Sequence, residues 1–191
     1  MIRFLISLTL FALAIMAQAW VAGDPVMHVL VQMPLLAAAG YLLPHRLTLP
    51  RAAIGPVLIL ALVTCVVWML PRSVDAALSE MSWHLAKFVT LPLGFGLALS
   101  LTWPAIGPVL RGFIKAQVIS MLLLLGFLYT HAPIRICNSY LVDDQDRLGL
   151  GFVTVALGLT LWWIIPAFLG KPITLLKDKP HDVPRLGHKF F

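Results

Sequence analysis

"AAIGPVLILALVTCVVWML", residues 52–70, contains no Asp, Glu, Lys, Arg or His. A helix rises 1.5 Å per residue, so a stretch of this length covers the roughly 30 Å hydrocarbon core of a bilayer. Five further predominantly apolar stretches lie at 2–22, 27–44, 83–103, 109–129 and 149–169. The whole chain agrees with them. Of its 191 residues 60% are hydrophobic and 12% charged, with a mean hydropathy of +0.94, whereas soluble domains carry about 25% charge. In hydrocarbon every backbone N–H and C=O needs a partner within its own segment, which selects helices, and the alternating pattern of a β-barrel is absent. The expected fold is therefore all-α: a polytopic transmembrane bundle of six helices in contact with lipid. It forms one integral membrane domain over residues 1–191, with loops too short to hold a soluble domain. Residues 170–191 read as a basic cytoplasmic tail.

The first segment supports two readings. "MIRFLISLTLFALAIMAQA", residues 1–19, has one positive charge, a short apolar run and an Ala17-Gln18-Ala19 sequence of the kind signal peptidase cleaves. It is either a retained first helix or a cleaved signal, and in the second case five helices remain.

Basic residues set the orientation, because Lys and Arg favour the cytoplasmic side of short loops. With the N-terminus inside, the cytoplasmic segments hold Arg3, Arg46, Arg51, Arg111, Lys115, Lys171, Lys177, Lys179, Arg185 and Lys189. The outer side keeps Arg72, Arg135 and Arg147, with Lys87 near the start of the fourth apolar segment, where its long stem is expected to snorkel outward. Both termini are thus expected in the cytoplasm, in a bacterial inner membrane. The net charge of +6 then reflects topology and anionic lipid, not nucleic-acid binding.

This orientation gathers the remaining polar residues on the outer face. Met27 and His28 open the second segment beside Asp24, and Gln32 follows His28 at i+4 on one helix face. Met81 and His84 open the fourth. The last outer loop contains Cys137 and the stretch "YLVDDQDRLGLGF", residues 140–152, which concentrates Asp143, Asp144 and Asp146 around Gln145 in a chain with only eight acidic residues. Thioether and imidazole ligands suit copper, Cu(I) above all, and carboxylates can complete a site or bind Cu(II). Each feature also has a plainer reading: interfacial histidines, methionines that pack, and aspartates that cap a helix beginning near Leu148. Cys137 could pair within the chain only with Cys65, inside the third segment, which disfavours a disulfide. The sequence contains no phosphate-binding loop, dinucleotide fingerprint, nucleophile–base pair or CxxC. The expectation is a binding protein, not an enzyme.

Three stretches, in order, resemble the CtaG-type cytochrome c oxidase assembly factors. "VMHVLVQMPLLAAAGYLLP" resembles that family's helix with a His and a Pro-Leu-Leu run. "WHLAKFVTLPLGFGLALSLTWPAIGP" resembles its helix opening on His and closing on Trp before Gly-Pro. "DDQDRLGLGFVTVALGLTLWW" resembles its Asp-Gln element leading into a late helix. Together they cover about residues 26–165. The resemblance implies a membrane-bound factor that delivers copper for the assembly of a haem-copper oxidase or related copper enzyme, with His28, His84, Asp144 and Gln145 as carried-over ligands. Met27, Gln32 and Met81 are the further metal candidates beside them. Two departures stand out: Gln32 occupies the place of the family's second His, and the chain is shorter than a seven-helix member. The alternative reading is an electron-transfer subunit with a haem held between His28 and His84.

Overall fold

Prolines and glycines divide the apolar sequence into its elements. The computed structural model describes residues 2–21, 24–44, 47–131 and 142–169. The described residues form helices α1 (Ile2–Met16), α2 (Gln18–Val21), α3 (Met27–Leu42), α4 (Arg51–Met69), α5 (Pro71–Ser79), α6 (Met81–Thr102), α7 (Pro108–His131) and α8 (Val142–Leu169), with no strand among them. Leu43 ends α3 in an extended conformation, ψ 122°, because Pro44 follows it and its ring crowds the helical region for the preceding residue. Leu70 before Pro71 ends α4 in the same way, with ψ 129°.

Four helices are long and apolar enough to cross a membrane: α4, α6, α7 and the Asp143–Ile165 stretch of α8. The first two apolar stretches form shorter helices, Ile2–Met16 and Met27–Leu42. All six expected stretches thus contain a helix, but spanning length is reached in four of them. The stretch after α4 was expected to be a loop and is instead the helix α5. It buries Ser73, Val74 and Ala77 on one side and leaves Arg72 exposed. Trp68 and Trp83 meet edge-to-face at 6.1 Å across the ends of α4 and α6.

Two stretches wind as π-helix, Met27–Gln32 within α3 and Thr90–Leu97 within α6. Pro34 and Pro92 account for both. Each lacks the N–H that would bond four residues back, and its ring pushes against that carbonyl. The turn widens, so that Met33 N–H bonds to His28 O and Ala98 N–H to Leu93 O, five residues back. In α6 the result of Pro92 is a wider turn and not a break in the helix.

Glycine sets how closely the helices pack. A Cβ on Gly40 of α3 would collide with the Pro92 carbonyl, and one on Gly96 of α6 with the Ala37 carbonyl, so α3 and α6 cross backbone to backbone. Gly126 of α7 and Gly149 of α8 face each other in the same way: a Cβ on either would lie 3.1 Å from the other's carbonyl oxygen. Small residues at crossings are how helices gain contact in lipid, where burying apolar surface supplies little drive. The main core joins Val29, Met33 and Leu36 of α3, Trp68 of α4, Leu91 of α6, Leu122 and Tyr129 of α7, and Leu148 and Phe152 of α8. Large apolar side chains such as Leu60, Leu124 and Trp162 project from the outside of the bundle, as lipid-facing residues do.

Candidate functional site

The start of α3 is built on Asp24. Its Oδ1 accepts from Val26 N–H at 2.9 Å, and its backbone carbonyl accepts from His28 N–H at 3.1 Å. The first π turn then carries His28 and Gln32 inward, and both are 0% exposed. Isolated π turns are rare and concentrate at functional sites.

The third member of this centre is Lys87. Helix α6 begins at Met81, so Lys87 lies well inside the helix. Its side chain is 0% exposed. The Nζ donates to Gln32 Oε1 at 2.7 Å, lies 3.0 Å from His28 Nε2, and rests 5.2 Å from the centre of the Phe88 ring. The expectation that Lys87 snorkels outward is therefore corrected: it points into the bundle and fills the space between the two acceptors. The amide of Gln32 is held from its other side, its Nε2 donating to Ala14 O and to Gln18 Oε1, each at 2.8 Å. Helix α1 thereby sets the orientation of Gln32, and Ser7 fixes α1 to α3 by donating to Ala39 O at 2.7 Å. The first apolar segment packs on α3 through these bonds.

Helix α8 closes this end of the molecule. Gln145, 4% exposed, shares its inward face with Leu148 and Phe152. Arg147 sits above, with its guanidinium 3.7 Å from Asp24 Oδ2 and 3.7 Å from Asp144 Oδ1. This contact places the start of α3 and the acidic stretch at the same end of the bundle, as the sequence reading required. Asp143 and Asp144 lie in the first turn of α8, where the helix dipole favours acids, while Asp143 and Asp146 face outward.

The candidates read from the sequence therefore separate. His28 and Gln32 share one buried centre, and Gln145 is buried on the helix that closes the same end. Asp144 is at the rim, paired with Arg147. His84 is half-buried one turn before Lys87 and packs on Phe88 at 5.2 Å. Met81 is 72% exposed, and Met27 is half-buried. Among the described residues no three His, Cys, Asp or Glu side chains gather as a metal-holding group. A cavity of about 280 Å³ between α1, α3 and α6 has an apolar lining that includes Phe4, Phe11 and Pro92, and none of His28, Gln32 or Lys87 lines it. Cys137 and residues 170–191 lie outside the described residues.

The sequence reading missed Lys87, although a signal was present: His84, Lys87 and Leu91 are spaced i, i+3, i+7 and so share one helix face, the last of them apolar. The same reading missed Gln18, weighed only as part of a cleavage site. Comparison of the chain with protein-family models, with curated proteins and with solved structures finds no match.

Proposed function

We propose that this chain is a copper-carrying factor of a bacterial inner membrane, with both termini cytoplasmic. It holds copper as cargo at the outward end of its bundle and passes it to a copper enzyme, a haem-copper oxidase being the client that the family resemblance implies. It performs no catalysis itself. The observation that carries this reading is the convergence of two uncharged donors, His28 Nε2 and Gln32 Oε1, on a single cation in a fully buried centre. Imidazole is a copper ligand, whereas a carbonyl-type oxygen suits harder cations, so His28 would be the principal ligand and copper would be held weakly enough to release. The rim carboxylates of Asp24 and Asp144 supply negative potential at the approach, and His84 lies one turn before Lys87 on α6. Ionisable residues inside membrane segments mark ion paths and binding centres. Bis-histidine haem ligation has less support, because a macrocycle at His28 would need the space of Lys87 and Phe88 together, whereas a single ion needs only that of the amine.

The test is metal analysis of detergent-purified protein with and without added Cu(I). One equivalent of copper is expected in the parent chain, and close to none in a folded His28→Ala variant. Copper no higher in the parent than in His28→Ala would overturn the reading.

A further inference from the structure

The cation at the His28–Gln32 centre belongs to the protein itself. Lys87 contacts His28, Gln32 and the ring of Phe88, all uncharged groups, from a position with no solvent exposure. Among the described residues no carboxylate pairs with Lys87, and a buried cation lacking such a partner is costly in any protein and more so in a membrane. A leucine or methionine at position 87 would pack the same space without that cost. The arrangement therefore calls for a role other than holding helices together.

Geometry supplies one. An ion bound to His28 Nε2 would sit about 2 Å from that nitrogen, along the direction in which Lys87 Nζ now stands at 3.0 Å. The ion and the amine cannot occupy that position together. We propose that Lys87 is a tethered competitor for the cargo: its amine holds the donor atoms of His28 and Gln32 in the cargo-free protein, withdraws when the ion binds, and returns to displace it at hand-over. This rests on the copper reading above and adds the means of release. The four-carbon stem of lysine carries its amine on rotatable bonds, which is the freedom the withdrawal uses. A delivery protein has to let its cargo go, and a competitor attached to the same bundle acts at a high effective concentration that no free ligand matches.

The experiment compares the parent chain with Lys87→Met and His28→Ala in detergent, using Cu(I) and Ag(I) as probes in competition with a soluble Cu(I) chelator. Thermal melting of each variant reports folding. Lys87→Met is expected to hold the ion at least about tenfold more tightly, a low bound for removing a like charge a few ångströms away, and to yield it to the chelator more slowly. In the parent chain, acylation of Lys87 by an amine reagent, read by mass spectrometry, should be slow without metal and should accelerate on Ag(I) loading. That measurement needs no variant, so it decides the matter even if Lys87→Met fails to fold. Binding by the parent with unchanged affinity in Lys87→Met, or with Lys87 equally protected when loaded, overturns the competitor and leaves the copper reading standing. Absence of binding in both folded proteins overturns both. Binding in Lys87→Met alone overturns both as well, since the parent chain then carries no cargo for Lys87 to release.

Discussion

Gln32 bears more of the centre than its uncharged side chain suggests. Its oxygen receives the Lys87 amine while its nitrogen serves Ala14 O and Gln18 Oε1, so one amide joins α1, α2, α3 and α6. Replacing it with Leu would leave the lysine and a helix carbonyl without these partners in the interior. Buried groups deprived of a partner cost about 1–3 kcal/mol each. Gln32→Leu is accordingly expected to lower the thermal midpoint clearly, while Met81→Leu, at a side chain 72% exposed, leaves it unchanged. Equal midpoints in the two variants would remove Gln32 from this role. If the Lys87 ammonium donates to His28 Nε2, the neutral imidazole carries its proton on Nδ1. The sequence made His28 and Gln32 legible through their spacing, because i and i+4 share a face. It concealed Lys87, because a lysine near a helix end is ordinarily read as reaching for water; only its contacts with His28 and Gln32 across the bundle show that it points inward.

At the scale of elements, hydropathy located every long helix, since length and apolarity are properties of the local sequence. It could not reveal which helices cross closely, which depends on pairs of residues far apart in the chain. Gly40 and Pro92 are such a pair, and Gly126 and Gly149 another. Gly55 and Gly112 look no different in the sequence, yet a Cβ on either would meet nothing within 4 Å. Gly40→Ala is therefore expected to force α3 and α6 apart and reduce the yield of folded protein, whereas Gly55→Ala should be neutral or slightly stabilising, since alanine favours helix by about 1 kcal/mol over glycine. Gel filtration and melting of the two variants side by side check this. The π turns were similarly half-legible: the prolines were visible, but the widening they cause depends on which carbonyl each ring displaces. Helix α5 was read as loop because its apolar residues are few and small, though Ser73, Val74 and Ala77 fall on one face.

At the scale of the molecule, the Arg147 contact with Asp24 and Asp144 fixes which ends lie together, and the distribution of basic residues predicts which side of the membrane that is. A reporter active only outside the cytoplasm should work when fused at Gln145 or Asp75 and fail at Thr48. The opposite pattern would turn the centre toward the cytoplasm and remove the proposed route of copper. The bundle also has an order in time. The bonds among Ala14, Gln18, His28, Gln32 and Lys87 all lie within the first half of the chain, whereas Gln145 and Arg147 arrive on a hairpin that packs on itself through Gly126 and Gly149. During synthesis the lysine can settle between its acceptors before that hairpin has left the ribosome. The last two helices would then pack against an interior that is already set.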